Sequence, residues 1–252
     1  MKTISVLVAA FQADKWLTES LNSIVNQQLP QGWELEVLIG VDGCKTTYHE
    51  AMAYKNDNVR VISLMKNYGT YITFNTLMEY AQGQYICRFD ADDVMRSGYL
   101  LSQIKRLENN VDMTMTWSIY TDEDLQPTSF VMAHTHYHPK GGLRKRGSEG
   151  QFMIKRHVWD ALGGFQPWVC GADTDFSKRV RYAGFNIEVL EDFLYYRRTH
   201  KNSLTCHPKT NFESSLRKEI EDKINQLTLA YQRLDIPIKI TPIVGLVDQG
   251  SL

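Results

Sequence analysis

The chain has 252 residues, 43% of them hydrophobic and 23% charged, with a formal net charge of −1 at pH 7. This charge excludes a protein-wide electrostatic attraction to nucleic acid or to acidic membranes. The four cysteines lack CxxC or zinc-like spacing, and the apolar runs are far shorter than the roughly 20 residues of a membrane span, which favours a reducing cytoplasm without integral membrane contact.

The first hundred residues alternate between predicted strands and helices. A continuous apolar run, typical of a strand that is buried on both faces, occurs at 4–9, and further strands are predicted at 35–41, 59–64 and 84–89. The predicted helices between them lie at 15–28, 45–54 and 70–81. Alternation of this kind predicts an α/β fold with a mostly parallel, doubly wound sheet and right-handed crossovers.

The pattern changes after residue 93. Helices are predicted at 99–107, 156–162 and 174–182, and strands at 112–120, 152–154 and 187–190. The turn-rich residues 121–150 are interpreted as a connection within one domain. Apolar residues then recur every three or four positions from Phe212 to Leu234, which predicts one long amphipathic helix. We expect this helix to pack on the rest of the chain or, alternatively, to form a homodimer contact.

Three carboxylates, those of Asp90, Asp92 and Asp93, directly follow the fourth predicted strand. Adjacent like charges repel and are costly to desolvate, so this run is poorly suited to a core. A hard divalent cation prefers carboxylate oxygens and leaves room for substrate phosphates, whereas the alternative is an acidic turn that caps the next helix. Ligands in open α/β sheets bind at the carboxyl ends of strands, which favours the cation site.

The other strands also end in residues suited to ligand binding. Phe11 follows the first strand, Asp42 ends the second and Asn67 follows the third. The carboxyl ends of parallel strands share one edge of the sheet, so these residues predict a pocket for a nucleoside diphosphate. We expect Phe11 to lie against the base and Asp42 to accept from a base imide N–H. Asp90 and Asp92 would lie at the ribose and the metal.

In this order and spacing, the motifs resemble those of the inverting glycosyltransferases of family 2, which have the GT-A fold. The matching stretches are 5–12, Val41-Asp42-Gly43, Asn67-Tyr68-Gly69, Asp90-Ala91-Asp92-Asp93 and, more loosely, 163–175 and 196–204. The resemblance implies a GT-A catalytic domain at 1–205, with a nucleotide-binding half at 1–95 and an acceptor-binding half at 96–205. A helical extension would follow at 206–252.

The resemblance also implies a function. A metal-dependent enzyme would move a sugar from a nucleotide diphosphate sugar, by preference a UDP-sugar, to a hydroxyl acceptor. Mn²⁺ or Mg²⁺ would be held by Asp92, with His200 as a further ligand, and Asp173 would be the catalytic base with Asp175 in reserve. The implied nucleotide-sugar-binding residues are Ala9, Phe11, Asp42, Asn67, Asp90, Ala91 and Asp92.

The chain departs from the family pattern at three positions. Gln12 replaces the usual Asn, Phe74 stands where many members have Arg, and Ala172 replaces the first acid of an acidic pair. The loss at residue 172 makes Asp173 the better candidate for the base. Simple helix capping is the alternative for Asp173, and a hydrogen-bonded structural role is the alternative for His200.

Other functions stay open at this point. A nucleotidyltransferase also places two aspartates on a metal, but it normally needs a Gly/Arg/Lys-rich phosphate loop after the first strand, which this chain lacks. A non-catalytic carbohydrate- or nucleotide-binding module is the third possibility. Surface glycans are the default acceptor. The basic loop 140–147 would suit a hydroxylated base in DNA, a lid over the diphosphate, or a plain solvated loop.

Overall fold

The computed structural model describes residues 1–131, 134–137, 143–146, 150–233, 236–248 and 250, and all of these with side chains except 134–137 and 143–146. The basic loop 140–147 therefore lies largely outside the described residues. Only the backbone of residues 143–146 within it is described, as one strand of a hairpin.

The described chain forms eleven strands and seven helices. The strands are β1 Lys2–Ala10, β2 Trp33–Asp42, β3 Val59–Leu64, β4 Tyr85–Asp90, β5 Val94–Met95, β6 Met113–Thr121, β7 Pro127–Val131, β8 His134–Tyr137, β9 Leu143–Arg146, β10 Phe152–Lys155 and β11 Ile187–Arg198. The helices are α1 Leu17–Val25, α2 Lys45–Met52, α3 Thr70–Tyr80, α4 Tyr99–Leu107, α5 Arg156–Leu162, α6 Ala172–Tyr182 and α7 Ser215–Arg233. Within this described set, no helix combines the length and the apolar character needed to cross a bilayer.

A nine-stranded sheet organises the fold. Its strand order is β3-β2-β1-β4-β10-β6-β11-β5, with β7 paired to β6, and β8 and β9 form a separate hairpin. The first four strands in this order are parallel, as predicted. The second half is mixed, because β10 is antiparallel to both β4 and β6, and β5 is antiparallel to β11. The predicted α/β architecture is thus present, with an antiparallel insertion in the middle of the sheet.

Helices cover both faces of this sheet. On one face Val6 and Val8 pack against Leu17 and Leu21 of α1, and on the other face Leu7 packs with Phe74 of α3. Burial on both faces explains why these strands are mostly apolar rather than alternating. The register pairs Ala9 of β1 with Gly40 of β2 and with Asp90 of β4. The carboxyl ends of these three strands therefore lie side by side.

Several strands differ from the sequence prediction: β5, β7, β8 and β9 were not predicted, and β11 is longer than expected. β7 lies within the predicted turn-rich connection, and its residues are mostly exposed. Its apolar pattern is weak because it forms by pairing with β6 rather than by burying a face of its own. β11 continues to Arg198 instead of ending at residue 190, with irregular pairing around Phe193. The charged residues Glu191 and Asp192 at this irregularity interrupt the apolar pattern.

The C-terminal residues pack on the rest of the chain. The buried residues of α7 include Ile220 and Ile224, which lie against Cys170. This part of the apolar stripe is thus covered by the chain itself, whereas Phe212 and Leu216 of the predicted stripe are exposed. Beyond α7, the N–H of Ile240 donates to the carbonyl of Leu162, and Val247 forms a β-bridge with Leu64.

Gly163 gives a test of this C-terminal packing. It ends α5 with a φ of 76°, and a Cβ there would lie 1.8 Å from the carbonyl oxygen of Ile240. We expect Gly163→Ala to lower the free energy of unfolding for two reasons. The strain of the left-handed conformation costs about 1–2 kcal/mol, and displacement of the segment that contains Ile240 costs at least about 1 kcal/mol more. Urea denaturation measures the loss.

Gly184→Ala is the matched control for this prediction. Gly184 has a φ of 87°, and a Cβ on this residue would have no atom of the described residues within 4 Å. In Gly184→Ala the free energy of unfolding should fall only by the strain of the left-handed conformation. Equal losses in the two variants would mean that residues 236–248 do not press on Gly163.

Candidate active site

The acidic run at the end of β4 is held by a side chain that directly precedes β10. The amide of Gln151 donates to Asp90 Oδ2 at 2.9 Å and to Asp93 Oδ2 at 2.6 Å, and its oxygen accepts from the N–H of Asp90 at 3.2 Å. Gln151 is buried. Sequence reasoning missed it, although a polar residue directly before the apolar run of β10 was a usable signal.

Arg198 holds the same turn from the end of β11. Its N–H donates to Asp93 Oδ1 at 2.9 Å, and its Nε donates to the carbonyl of Asp92, also at 2.9 Å. The guanidinium also forms an ion pair with Glu19 of α1, with 2.5 Å between Nη2 and Oε2. The backbone of the acidic turn is therefore tied to a strand and a helix that lie far from it in sequence.

The electrostatics of this cluster are unfavourable without a cation. Burial raises the pKa of Asp90, an effect that the Arg88 guanidinium at 3.0 Å from Oδ1 partly offsets. Burial raises the pKa of Asp93 well above its usual range, and the negative charges of Asp92 and Asp90 raise it further. A positive charge placed among these groups would relieve their repulsion.

The predicted metal ligands Asp92 and His200 lie together. His200 Nε2 and Asp92 Oδ2 are 2.8 Å apart, and the imidazole is buried with its ring centroid 4.1 Å from that of Trp16. The Asp92 side chain is 25% exposed. It lies just beyond β4, at the edge where the carboxyl ends of β1, β2 and β4 lie side by side, and the solvent-facing side of this edge is called here the cleft. The fold therefore unites two residues that are separated by 108 positions.

This pair fits a divalent cation that is shared with a substrate. Across the described residues there is no group of three or more His, Cys, Asp or Glu side chains arranged to hold a metal. Mg²⁺ and ions like it often take only one or two protein ligands, since phosphate and water oxygens complete the shell. Asp92 would supply the carboxylate oxygen that such ions prefer, and His200, whose Nε2 lies 2.8 Å from Asp92 Oδ2, would be the second ligand.

The residues predicted to bind the nucleobase of the donor lie at the neighbouring strand ends. Asp42 is buried, and its two carboxylate oxygens accept from the N–H groups of Tyr68 and Gly69 at 2.7 and 2.8 Å. Burial raises the pKa of Asp42, and these hydrogen bonds oppose the shift. Asp42 thus shapes the turn after β3, in which Asn67 is exposed. Phe11, just beyond β1, is 45% exposed and available to a ligand.

Asp173, the predicted base, lies in the first turn of α6 and is partly exposed. The Tyr71 hydroxyl donates to Asp173 Oδ1 at 3.0 Å, and the N–H of Thr174 donates to the same oxygen at 2.9 Å. Burial, and next the charge of Asp173, raise the pKa of Tyr71 well above its usual range, so its hydroxyl remains a donor. These two hydrogen bonds leave Oδ2 as the oxygen that faces Gly150.

Asp175, the reserve base, is not brought to this cleft. Its side chain is fully buried, with Oδ2 2.8 Å from Arg179 Nε and Oδ1 3.4 Å from the Tyr231 hydroxyl. Arg179 also donates to the carbonyls of Leu162 and Gly164. Residues two apart on a helix point about 200° apart, so Asp173 and Asp175 face opposite surroundings.

The structure also shows where the three residues that depart from the family pattern lie. Gln12 follows β1 with a φ of 50°, and Ala172 is buried at the start of α6. Phe74 is buried in α3, and the Arg88 guanidinium lies 4.6 Å from its ring centroid. A positive charge is therefore supplied next to residue 74 by β4 rather than by α3.

Comparisons with known proteins agree with this architecture. An uncharacterized glycosyltransferase of Methanocaldococcus jannaschii is 25% identical over 211 residues, which cover 76% of this chain and 69% of that relative. The crystal structure of S. aureus TarS 1–349 in complex with UDP superimposes with a TM-score of 0.66 at 19% identity, covering 91% of this chain and 71% of that one.

A second solved structure is similar to the same extent. The mannosyltransferase PcManGT from Pyrobaculum calidifontis, in complex with GDP-Man and Mn²⁺, has a TM-score of 0.62 at 15% identity and covers 93% of this chain and 70% of that one. Likeness at these identities concerns the fold alone, and it confirms the predicted GT-A architecture. Residues 5–168, well over half of the chain, match the family model for glycosyl transferase family 2. The chain is therefore a glycosyltransferase and belongs to glycosyl transferase family 2.

Proposed function

We propose that this chain is a metal-dependent, inverting glycosyltransferase that moves a sugar from a UDP-sugar to a hydroxyl acceptor. The observation that carries the proposal is the pairing of Asp92 with His200 at the strand ends, with the partly exposed carboxylate of Asp173 nearby across Arg88. A leaving diphosphate and an incoming hydroxyl need these two kinds of group on opposite sides of the sugar.

The proposed donor site follows the carboxyl ends of β1 to β4. Phe11 stacks against the base, while Asp42, which uses one lone pair of each oxygen for backbone N–H groups, has others for the imide N–H of uracil. UDP is bound to TarS in its solved complex, and GDP-Man to PcManGT. The preference for UDP here follows from the resemblance of Val41-Asp42-Gly43 to the uridine-binding motif of the family. The remaining donor contacts are assigned to Ala9, Asn67, Asp90 and Ala91.

Asp92 and His200 would hold the divalent cation, Mn²⁺ or Mg²⁺. When bound, the cation supplies Lewis-acid stabilisation of the charge that develops on the leaving diphosphate. The Gln151 amide donates to Oδ2 of Asp90 and to Oδ2 of Asp93 and so holds both carboxylates in place. These inner carboxylates orient the turn and contribute negative charge that favours the cation.

Asp173 takes the proton of the acceptor hydroxyl on Oδ2. The hydrogen bonds from Tyr71 and Thr174 to Oδ1 hold the carboxylate in one orientation and leave the lone pairs of Oδ2 for substrate hydroxyls, the acceptor hydroxyl among them. Attack from the side opposite the diphosphate inverts the anomeric centre. A positioned general base of this kind contributes about 10²–10⁴-fold to the rate.

For the acceptor we propose a glycan hydroxyl. The alternative, a hydroxylated DNA base, depended on the side chains of the basic loop 140–147, which lie outside the described residues. A homodimer contact through α7 stays a prediction, since Ile220 and Ile224 are covered within the chain while Phe212 and Leu216 are exposed. No observation favours a nucleotidyltransferase.

Metal-dependent release of UDP tests the proposed function. The chain is incubated with UDP-glucose, UDP-galactose or UDP-N-acetylglucosamine, with Mn²⁺ or with EDTA, and released UDP is quantified. Slow hydrolysis that needs Mn²⁺ is expected, because water replaces the acceptor. Binding of UDP in calorimetry without any turnover would indicate a non-catalytic binding module, and absence of UDP binding with Mn²⁺ would contradict the proposal altogether.

Asp92→Asn tests the metal assignment. We expect it to remove most turnover and the Mn²⁺-dependent part of UDP binding, because the amide is a poor ligand for a hard cation. The fold should survive, since the side chain is partly exposed. Calorimetry with and without Mn²⁺, together with circular dichroism, measures both effects. Asp57→Asn, in an exposed turn at the opposite end of β3, is the control that should change neither. Turnover near the wild-type rate in Asp92→Asn would remove Asp92 from the metal site.

Asp173→Asn tests the proposed role of Asp173 as the catalytic base. The amide keeps the shape and accepts from Tyr71 and Thr174, but it takes no proton, so kcat should fall about 10²-fold or more with UDP affinity unchanged. Asp175→Asn should instead lower the free energy of unfolding by about 3–5 kcal/mol, because Arg179 stays buried without its counter-charge. Kinetics at a temperature where both variants are folded separate the two roles. A larger loss of kcat in Asp175→Asn would reverse the assignment.

A further inference from the structure

Arg88 of β4 has hydrogen-bonding capacity that the described residues leave unused. Its side chain is 5% exposed, and Nη2 pairs with Asp90 Oδ1 at 3.0 Å. The guanidinium lies over the rings of Phe74 and Tyr71, 4.6 and 5.9 Å from their centroids. Nε and Nη1 are buried and have no hydrogen-bond partner in the described part of the chain. Because buried N–H groups without acceptors are costly, a ligand acceptor is expected beside them.

Gly150 marks the space in front of Nη1. A Cβ on Gly150 would lie 3.3 Å from Arg88 Nη1 and 3.7 Å from Asp173 Oδ2, and, apart from Gly150 and its two chain neighbours, no other described residue has an atom within 4 Å of that point. The φ of Gly150 is outside the left-handed region, so the backbone does not require glycine there. Because glycine has no side chain, Gly150 comes close to both a donor and an acceptor, and the place between Arg88 Nη1 and Asp173 Oδ2 is called here the Arg88–Asp173 gap.

The chemistry of this gap selects its occupant. A group bound there must accept from the Nη1–H of Arg88 and donate to Oδ2 of Asp173. A hydroxyl does both. A carboxylate would face the charges of Asp90 and Asp173, and an ammonium would face Arg88. Both Asp90 and Asp173 interact electrostatically with this guanidinium, so its charge is already balanced.

The gap also lies where the transferred sugar must be. Arg88 contacts Asp90, on the donor side of the cleft, and adjoins Asp173, on the acceptor side. We propose that the Arg88–Asp173 gap binds one ring hydroxyl of the transferred sugar and that Arg88 thereby recognises the donor sugar. This inference rests on the proposed function. A site that hydrogen-bonds a substrate hydroxyl strongly rejects analogues that lack it, because its own polar groups are then left unpaired.

Two variants alter the gap in different ways. Gly150→Ala places a methyl group in it. Arg88→Lys keeps the charge beside Asp90 but removes the planar fork that supplies Nε and Nη1. Gly250→Ala is the matched control, since Gly250 also has an ordinary φ and only Asp248 Oδ1, at 3.5 Å, near its Cβ position. Thermal denaturation shows whether each variant is folded, and Gly150→Ala keeps the test decisive if Arg88→Lys is not.

Calorimetry without acceptor separates sugar binding from nucleotide binding. With Mn²⁺ present, UDP is compared with UDP-glucose, UDP-galactose and UDP-N-acetylglucosamine. The wild-type chain should bind at least one of these sugars more tightly than UDP. For that donor, both gap variants should lose about 10-fold or more in affinity, while their affinity for UDP stays within about 2-fold of wild type. Gly250→Ala should match wild type throughout.

Deoxy analogues of the preferred donor identify the hydroxyl. Removal of the hydroxyl that occupies the gap should weaken binding to the wild-type chain, and Arg88→Lys should add little further loss for that analogue alone. For the analogues deoxygenated elsewhere, the loss from Arg88→Lys should persist in full. A loss that is the same for every analogue would mean that no hydroxyl of the sugar occupies the gap.

Several outcomes would overturn the inference. Equal losses for UDP and UDP-sugar would assign Arg88 to the nucleotide. Unchanged donor affinity with slower transfer would assign the gap to the acceptor hydroxyl. Unchanged affinity and transfer, or a wild-type chain that gains nothing from any of the three sugars, would remove the subsite. If the wild-type chain binds no UDP, the proposed function itself fails, which is a distinct result.

Discussion

Repulsion among the carboxylates of Asp90, Asp92 and Asp93 is the constraint around which this site is built. Three adjacent acids at the end of a buried strand are unfavourable unless each finds donors or positive charge. Gln151 bridges Asp90 and Asp93, and Arg198 holds the turn from β11. These partners come from distant parts of the chain, so the charged turn requires β10 and β11 to be in place. The mixed half of the sheet supplies both.

The parallel half and the mixed half of the sheet meet at Arg88. Its guanidinium pairs with Asp90, lies over the Tyr71 ring, and adjoins the carboxylate of Asp173 that Tyr71 orients. One buried cation thus connects the candidate metal side with the candidate base. Because an arginine remains charged when buried, this connection does not change with pH as a connection made by a histidine would.

The packing of α6 assigns different surroundings to two nearby acids. Asp173 faces Tyr71 and the cleft, whereas Asp175 forms a buried ion pair with Arg179, which in turn holds the carbonyls at the end of α5. Chemical access and structural support are thereby separated within one helical turn. Tyr231 of α7 lies on the buried side of α6, where its hydroxyl contacts the Asp175 carboxylate.

Local sequence patterns alone were sufficient for much of this architecture. The bounds predicted for β3, α4 and α5 agree with the structure, because apolar periodicity and glycine stops act within a few residues. The shared edge of Asp42 and Asp90 followed from parallel alternation, since such strands end on one side. Only tertiary packing decided that Gln151 and Arg88 serve the acidic run and that Asp173 rather than Asp175 faces the cleft. Such contacts join residues as far apart as Tyr71 and Asp173, and no local pattern encodes which distant group a side chain will meet.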